Sequence, residues 1–415
     1  MKILLVNTNR YKYPPVIPIG LEYLAGALSG TGYVFDVLDL CFSDNPIDKL
    51  ETKISEFRPD IAGFTIRQID TVLYPNNEFF LPDIKKYVNI CKSSGCQIVL
   101  GGAGFSIMPD EILNFMEADY GIIGPGEEAF VALLNALQNN EMPERITDGF
   151  KYLKQNSYAF QRARPFDYEQ YLKNGGIVGF RTQIGCTGSC IFCTEANKPV
   201  VYHKADLVGN ELKIFKERGY NHFHLCDSEF NQNINHCIEI CKAICSISGP
   251  VRWTLYMKPD LFSDELFYWL AKSGADMLTL SLNTDNSDHG KFEKLTDFIS
   301  LAKKHSLKIA VDLSTGFPYE DITGLRKIIE FLNTQPVETV GVNASYRLYP
   351  GTKLCSIVRN DSNLEKHLIF PKADRSLLSP VFFNCFEISE LQKLTKGKKK
   401  FRIEGFEKAT NYQRI

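Results

Sequence analysis

Three cysteines in the stretch Gly185–Cys193 have the residue type and the spacing to bind a metal centre. Cys186, Cys190 and Cys193 follow the pattern Cys-x3-Cys-x2-Cys, directly after the strand-like run 177–182. Three thiolates this close cannot all point inward from one strand or one helix face, but a loop wrapped around a soft metal centre brings them together. Iron–sulfur clusters are held by cysteine thiolates, usually four. Because only three are offered here, we predict a four-iron, four-sulfur (4Fe-4S) cluster with one open iron that can bind a substrate or cofactor.

Other interpretations of this cysteine loop have less support in the sequence. A structural zinc site requires a fourth ligand, usually from a second Cys or His pair, and the nearest histidine, His203, has no partner at a suitable spacing. A disulfide is not expected in a chain with the features of an intracellular protein. Chance clustering among 12 cysteines is the remaining alternative. Gly185 and Gly188 relax the loop backbone for a wrap around a ligand, and Phe192 can shield it, so the sequence favours the cluster.

At these residues the chain resembles the radical S-adenosylmethionine (SAM) superfamily. The family signature is Cys-x3-Cys-x-aromatic-Cys in the loop after the first barrel strand, and Cys186, Cys190, Phe192 and Cys193 match it. The resemblance implies that the open iron chelates the amino and carboxylate groups of SAM. Reductive cleavage of SAM then usually gives a 5′-deoxyadenosyl radical. It also implies an α/β barrel around the loop and places Phe192 beside SAM.

Length and composition limit the class of protein. The 415 residues suggest two domains with extensions, and a hydrophobic content of 44% suffices for large cores. A net charge of −2 offers no bulk attraction to nucleic acid or to an anionic membrane, and no apolar run reaches transmembrane length. Twelve cysteines without an extracellular context indicate reduced thiols and metal ligands. We therefore expect a cytoplasmic protein with no nucleic-acid or membrane partner.

Residues 1–140 alternate buried-strand runs with amphipathic helical patterns. The strands are predicted at Ile3–Val6, Val34–Leu38, Ile61–Thr65, Ile98–Leu100 and Tyr120–Ile123. This alternation is typical of an α/β domain with an open, doubly wound (Rossmann-like) parallel sheet. Such sheets bind their ligands at the carboxyl ends of the strands, so the loops at that edge are the predicted ligand site.

The loops of this first domain resemble the cobalamin-binding domain of one large radical SAM class. That domain has a Pro-x-Gly leading a helix, a strand ending in Gly-Gly and a strand ending in Gly-x-Gly-Glu. The residues that the resemblance assigns to cobalamin are Pro18, Gly20, Gly101, Gly102, Gly124, Gly126 and Glu127. The Asp-x-His-x-x-Gly motif that supplies an axial histidine elsewhere is absent, so we predict that Thr65–Gln68, including Arg67, faces the lower side of the cobalt. Ordinary tight turns are the alternative for these glycines.

The rest of the chain is predicted as a linker, a barrel and an extension. Residues 141–175 are polar and irregular, and their basic pair, Arg162 and Arg164, either contacts a phosphate or cofactor side chain or lies on a solvated surface. Six strand patterns within 176–352 alternate with helices, which fits a partial (β/α)6 barrel of TIM type. The patterns are Ile177–Thr182, His222–Cys226, Arg252–Met257, Met277–Leu282, Lys308–Leu313 and Thr339–Ala344. Residues 353–415 are expected to cover the open end of this barrel.

The strand ends of the predicted barrel carry residues suited to SAM, where barrels of this type place their catalytic groups. Glu229 or Asp227 is expected to accept from the SAM ammonium, although the Gly-Gly-Glu form of the family is not present. The other positions assigned to SAM are Ser281 and Asn283 for the ribose, Gly316 and Pro318 for adenine, and Arg347 for the carboxylate of SAM or the substrate. Helix caps and turns are the alternative for each of these positions.

Four more cysteines need an interpretation. Cys237, Cys241 and Cys245 are four residues apart on a predicted helix, and the outer two lie about 12 Å apart along it, given about 1.5 Å of rise per residue. That distance is too long for one small cluster, so we predict small core residues. Cys355, in the extension, could approach the active site as a hydrogen donor or substrate thiol.

Together these features predict a radical SAM enzyme that methylates an unactivated centre of a small molecule. The expected cofactors are the 4Fe-4S cluster, SAM and cobalamin, and the expected partner is an electron donor such as flavodoxin or ferredoxin. A second interpretation keeps the cluster and SAM for rearrangement, ring contraction or 3-amino-3-carboxypropyl transfer, with the first domain as a scaffold. A third is a non-catalytic cobalamin or redox sensor, but a sensor has no need for SAM pockets.

Overall fold

The computed structural model describes residues 1–153, 162–284, 291–343, 345–370 and 377–406. The chain forms two compact units. The first consists of Met1–Thr71 and Glu78–Ile177, and the second of Val72–Asn77 and the chain from Val178 onward. Within the described ranges, no helix has both the length and the apolar composition needed to cross a membrane.

The first unit is built on a parallel sheet of six strands. The strands are β1 (Lys2–Asn7), β2 (Val34–Asp39), β3 (Ile61–Thr65), β4 (Gln97–Gly101), β5 (Tyr120–Ile123) and β6 (Ile146–Asp148). Their order is β2-β1-β3-β4-β5-β6, and neighbouring strands pair in parallel. The predicted Rossmann-like sheet is confirmed. Its order reverses between β1 and β3, so the loops after these strands flank the switch point where such sheets bind ligands.

Helices connect the strands of this first sheet. Those described are α1 (Ile19–Leu28), α2 (Pro46–Phe57), α3 (Leu81–Ser93), α4 (Ala103–Ile107), α5 (Pro109–Met116), α6 (Glu127–Gln138) and α7 (Tyr168–Lys173), with a 3-10 helix at Gly149–Tyr152. Strand β1 is buried from its second residue onward, as expected where helices cover both faces of a parallel sheet. Helix α2 has Pro46 in its first turn, and the Asn45 side chain caps it.

The segment 141–175 belongs to the first unit, and its described residues, 141–153 and 162–175, include regular structure. It supplies β6, which pairs with β5 at the edge of the sheet, and α7. Its Arg162 is not solvated, because its side chain is fully buried in an ion pair with Glu22 of α1. The polar composition of this segment does not indicate its three-residue edge strand or the contact between Arg162 and Glu22, which are far apart in the sequence.

The second unit contains a parallel sheet of seven strands and two small antiparallel sheets. Its strands are β7 (Val178–Phe180), β8 (Gln183–Ile184), β9 (Val201–Tyr202), β10 (His222–Leu225), β11 (Arg252–Met257), β12 (Ala275–Asn283), β13 (Lys308–Ser314), β14 (Thr339–Asn343), β15 (Tyr346–Arg347), β16 (Leu368–Ile369), β17 (Phe382–Phe383) and β18 (Phe401–Ile403). The large sheet has the order β18-β14-β13-β12-β11-β10-β7, and the small ones are β15-β17-β16 and β8-β9. All six predicted barrel strands are present.

The helices of the second unit lie between these strands. Those described are α8 (Ala205–Glu217), α9 (Ile234–Cys245), α10 (Asp264–Lys272), α11 (Lys291–Lys304), α12 (Ile322–Thr334), α13 (Lys353–Asn360) and α14 (Ile388–Thr395), with a 3-10 helix at Ser362–His367. The alternation of parallel strands and helices confirms the predicted barrel-type α/β architecture.

The seventh strand, β18, comes from the predicted C-terminal extension and was missed. It pairs in parallel with β14, and Arg402 lies opposite Gly341. A Cβ on Gly341 would lie 2.3 Å from Glu404 Oε1 and 2.9 Å from Arg402 Nη2, so only glycine leaves room for these side chains. Arg402 donates to Glu404 Oε1 over 2.7 Å and to Thr339 Oγ1 over 3.1 Å. Part of the extension therefore completes the sheet.

Candidate active site

A two-stranded ribbon closes the base of the cysteine loop. Strands β8 and β9 pair antiparallel, so residues 184 and 201 lie opposite each other at the two ends of the loop. Gly185 has φ of +89°, and a Cβ there would lie 1.9 Å from the Pro199 carbonyl oxygen. The amide of Lys198 donates to the Cys186 carbonyl over 2.9 Å. The loop thus folds back on itself, and Gly185 is required for that turn.

Amides of the loop itself donate to two of the three cysteine sulfurs. Gly188 N donates to Cys186 Sγ over 3.3 Å, and Glu195 N donates to Cys193 Sγ over 3.4 Å. Burial raises the pKa of the Cys193 thiol, and the nearby Cys190 and Cys186 raise it further, against the effect of the Glu195 amide. The thiols are close enough to repel one another as thiolates, so a cationic centre would stabilise them together.

Side chains from two barrel strand ends reach the third sulfur. Asn283, the last residue of β12, donates through Nδ2 to Cys190 Sγ over 3.4 Å. Lys258, directly after β11, donates through Nζ to the same atom over 3.2 Å. The predicted site residue Asn283 therefore lies beside the cysteine loop, although it meets a sulfur. Lys258 was missed by sequence reasoning, which attached no motif to the end of β11.

The donor chemistry of this loop fits an iron–sulfur cluster. It offers three sulfurs, and each accepts at least one N–H hydrogen bond, an interaction that tunes such clusters. Among the residues that the structure describes, no three His, Cys, Asp or Glu side chains are arranged to hold one metal ion.

Of the two candidate carboxylates at the end of β10, Asp227 has a structural role. It is buried and accepts from Thr182 N over 2.8 Å, from Gln183 N over 3.3 Å and from the Thr182 hydroxyl. Burial raises its pKa to about 6, and these donors oppose the shift. Asp227 thus ties the chain after β7 to the end of β10 and is not available to a SAM ammonium.

Glu229 has the properties expected of a ligand-binding carboxylate. It accepts from the predicted site residue Ser281, and its Oε2 atom is buried without a hydrogen-bond partner in the described part of the chain. Burial raises its pKa to about 7, while Ser281 and Lys258 oppose this and Asp260 adds to it. A buried acceptor without a partner is costly, so this atom fits a cationic donor.

Two polar residues after Glu229 hold the loop and its neighbours in place. Gln232 Oε1 accepts from Thr187 N over 3.0 Å and from Thr187 Oγ1 over 2.7 Å, which fastens the cysteine loop. Asn231 Nδ2 donates to the Lys258 carbonyl over 2.7 Å and to the Leu261 carbonyl over 2.6 Å. Sequence reasoning stopped at Glu229, although the polar run that follows this strand end could have indicated both residues.

Gly316 and Pro318 lie in a turn after β13 that is closed by a carboxylate. Glu320 Oε2 accepts from Gly316 N over 2.7 Å and from Phe317 N over 3.0 Å. The Gly316 carbonyl accepts from Cys385 N over 3.0 Å, and Gly316 has φ of +91°. These backbone groups are therefore used within the protein. The predicted adenine contacts of Gly316 and Pro318 stay a prediction.

Arg347 makes structural contacts that the sequence did not predict. It is buried in β15 and donates to the carbonyl oxygens of Leu348 and Leu377, both over 2.6 Å, and of Leu378 over 3.1 Å. Its guanidinium also lies 5.0 Å from the ring centroid of Tyr349. The expected contact of Arg347 with a carboxylate of SAM or the substrate stays a prediction.

An aromatic group packs behind the cysteine loop. Phe192 lies 5.1 Å from Tyr346 and 5.8 Å from Phe317 between ring centroids, and the latter two rings stack at 4.5 Å. They belong to a hydrophobic cluster that also contains Cys355. The predicted shielding role of Phe192 is consistent with this packing. Cys355 is 3% exposed in this cluster, and its suggested approach to the active site stays a prediction.

Two of the three α9 cysteines predicted as core residues are buried, whereas the third, Cys245, is partly exposed. Cys237 and Cys241 of α9 are fully buried, and Cys237 Sγ donates to the Phe230 carbonyl over 3.2 Å. Burial raises the pKa of Cys241 to about 12. All twelve cysteines lie in described residues, and none forms a disulfide.

In the first unit, the loops after β3 and β4 lie against each other at the carboxyl edge of the sheet. Ile66 N donates to the Gly101 carbonyl over 2.8 Å, and Gly104 N donates to the Ile66 carbonyl over 2.8 Å. Gly102 has φ of +97°, and a Cβ there would lie 2.7 Å from Ile66 O. Arg67 follows on this platform and is exposed. The glycines thus set the position of the segment predicted to face cobalt.

The remaining glycines at this edge divide into two kinds. Gly124 has φ of +71°, and a Cβ there would lie 2.5 Å from the Phe150 ring, so packing explains it. A Cβ on Gly20 would have no atom within 4 Å, and one on Gly126 would have only a contact at 4.0 Å. Open backbone at these two positions fits the close approach of a ligand. Glu127, at the start of α6, is buried.

Helix α1, which begins beside the predicted cobalamin residue Pro18, is anchored by a buried polar triad. Pro18 O accepts from Leu21 N over 2.9 Å. Glu22 pairs with Arg162 Nε and accepts from the Tyr168 hydroxyl over 2.6 Å, and Arg162 Nη2 donates to that hydroxyl over 3.0 Å. This triad fixes α1 to the first residue of α7 and to the segment before it.

Comparisons with known proteins agree with both units. The family model for the B12 binding domain matches residues 10–134, and the model for the radical SAM superfamily matches residues 180–332. The chain is 22% identical over 442 residues to tryptophan 2-C-methyltransferase of Streptomyces laurentii, covering 84% of this chain and 73% of the relative. It is 22% identical over 356 residues to cytidylyl-2-hydroxyethylphosphonate methyltransferase of Streptomyces wedmorensis, covering 68% of this chain and 65% of the relative, just under two thirds.

A solved structure has the same fold along nearly the whole chain. The radical SAM methyltransferase TsrM from Kitasatospora setae, with cobalamin and a 4Fe-4S cluster bound, superimposes with a TM-score of 0.87 at 21% identity. The match covers 97% of this chain and 92% of that structure. Both units described above therefore belong to a fold that this solved structure also has.

Proposed function

We propose that this chain, which matches the models for the B12 binding domain and the radical SAM superfamily, is an enzyme that methylates an unactivated centre of a small molecule. The proposed cofactors are a 4Fe-4S cluster, SAM and cobalamin. The observation that carries the proposal is the cysteine loop, in which N–H donors reach all three sulfurs. When bound, these groups supply one-electron chemistry and a methyl group for transfer.

The residues of the second unit support distinct parts of this proposal. Cys186, Cys190 and Cys193 would hold the cluster. Glu229 would accept from the SAM ammonium through its unpartnered Oε2, and Ser281 holds that carboxylate in place. Asn283 donates to the Cys190 sulfur and would restrict its movement.

In the first unit, the carboxyl edge of the sheet is the proposed cobalamin site. Gly20 and Gly126 present open backbone, and the platform of Gly101 and Gly102 supports the segment that carries Arg67. The two methyltransferases to which the chain is similar act, by their names, on tryptophan and on a cytidylyl phosphonate. We therefore propose a small polar molecule as substrate, with flavodoxin or ferredoxin as electron donor. The twelve cysteines without disulfides support a reducing compartment such as the cytoplasm.

Anaerobic reconstitution with iron, sulfide and hydroxocobalamin tests this function. Iron and cobalt per chain would be measured after desalting, and SAM carrying an isotopic label on its methyl group would be incubated with the protein and a reductant. About four irons, one cobalt and transfer of label to cobalamin or to a candidate substrate would support methyl transfer. Iron without cobalt would refute the cobalamin site, and methylthioadenosine as the main product would favour aminocarboxypropyl transfer.

The cysteine loop provides a direct control. Replacing Cys186, Cys190 and Cys193 together with Ala is expected to abolish the cluster absorbance and SAM turnover. Cys245→Ala, a partly exposed cysteine on α9, is expected to leave the iron content unchanged. Retained SAM turnover in the triple variant would refute the proposal.

A further inference from the structure

Lys258 is the cation beside the cysteine sulfurs that the family signature does not include. It directly follows β11, is half-buried, and its Nζ lies 3.2 Å from Cys190 Sγ. The structure shows why it can reach this sulfur. A Cβ on Gly188 would lie 2.8 Å from Lys258 Nζ, so the glycine in the loop leaves space for the ammonium group.

The backbone of Lys258 is also held in place, by hydrogen bonds with a buried side chain. Asn231 is 5% exposed, and its Oδ1 accepts from Lys258 N over 3.0 Å. Its Nδ2 donates to the Lys258 carbonyl over 2.7 Å and to the Leu261 carbonyl over 2.6 Å. The buried side-chain amide of Asn231 therefore fixes the end of β11, so Lys258 contacts the Cys190 sulfur from a fixed backbone position.

We propose that Lys258 is a positioning residue for the cluster: it holds the Cys190 sulfur and raises the reduction potential of the cluster. Hydrogen bonds to sulfur and local net charge are among the factors that set such potentials. Reduction adds negative charge, and a nearby ammonium stabilises the reduced state more than the oxidised one. The inference rests on the proposed function only for the presence of the cluster.

The test compares four variants reconstituted with iron and sulfide alone, without SAM or cobalamin. Lys258→Met removes charge and donors, Lys258→Gln keeps a neutral donor, and Lys258→Arg keeps both. Lys213→Met is the matched control, because Lys213 is an exposed lysine of α8 that pairs with Glu217 at 4.0 Å. Iron per chain is measured first, and the midpoint potential is then obtained from the electron paramagnetic resonance signal of the reduced cluster.

At the potential where half of the wild-type cluster is reduced, the Met variant is expected to be less than half reduced. The Arg variant and Lys213→Met are expected to match the wild type, with Gln in between. Loss of iron from the Met variant but not from the Arg variant would also support positioning of Cys190. A Met variant with full iron and an unchanged midpoint would refute the role of Lys258. A wild-type chain that takes up no iron would refute the proposed function together with this inference.

Discussion

The buried triad that anchors α1 should be among the most sensitive points of the first unit. Both side chains of the Arg162–Glu22 ion pair are 0% exposed. Replacing Arg162 with Met leaves the Glu22 carboxylate buried with only the Tyr168 hydroxyl as a remaining side-chain donor of this triad. Breaking a buried ion pair in this way costs about 3–5 kcal/mol. At about 2–4 °C per kcal/mol for a unit of this size, the melting temperature should fall by roughly 6–20 °C.

Differential scanning calorimetry of the apoprotein measures this loss. The control is Lys173→Met, which removes an exposed pair between Lys173 and Glu169 at 3.6 Å in the same unit. Exposed pairs contribute about 0–1 kcal/mol, so this variant should melt close to the wild type. Because α1 begins beside Pro18, the Arg162 variant should also bind hydroxocobalamin more weakly.

An apolar replacement of the whole triad separates a broken ion pair from lost packing. In the triple variant Glu22→Leu, Arg162→Met, Tyr168→Phe, no charge or hydroxyl of the triad stays buried, so stability should recover well above that of Arg162→Met. If Arg162→Met alone loses less than about 1 kcal/mol and melts like Lys173→Met, the reasoning about the buried charge is refuted.

Two further predictions concern the second unit. Gly185→Ala should lower the iron bound per chain, because its Cβ would meet the Pro199 carbonyl at 1.9 Å. Gly20→Ala, whose Cβ would have no atom within 4 Å, should bind iron normally. Equal iron in both variants would contradict the role of Gly185. Burial raises the pKa of Glu229 from 4.5 to about 7, so the folded state holds this proton more tightly, and stability is lost as pH rises from about 4.5 through 7. Glu229→Gln should flatten that decline in apoprotein denaturation curves, and an unchanged pH profile would contradict it.

The sequence predicted the features that depend on local pattern. Strand β1, for example, contains the continuous apolar run Ile3–Val6, and the cysteine spacing identifies its loop without knowledge of distant residues. It could not predict β18, since a three-residue strand near the C-terminus has no periodicity, and only the space left by Gly341 shows where it pairs. The pairing of Arg162 with Glu22 depends on contacts across 140 positions in the sequence.

The candidate site residues show the same difference between what a local sequence pattern predicts and what depends on contacts with distant residues. Asp227 and Glu229 are two residues apart and equivalent as types, and only the hydrogen bonds from Thr182 show that Asp227 serves the fold. Arg347 occupies a plausible strand end, but it donates to the backbone carbonyls of Leu377 and Leu378, a contact across about 30 positions that the sequence does not reveal. The contact of Lys258 with the Cys190 sulfur could not be predicted from the sequence, because it depends on where β11 ends in three dimensions.

The ribbon of β8 and β9 has a consequence for how the protein acquires its metal. It holds together the ends of a loop of residues 185–200. Closing a flexible loop of about 16 residues costs roughly 2.5 kcal/mol of chain entropy, beyond a constant term. Because the pairing of β8 with β9 closes this loop, a cluster that binds Cys186, Cys190 and Cys193 need not supply that entropy itself. The ribbon should therefore favour uptake of iron and sulfide.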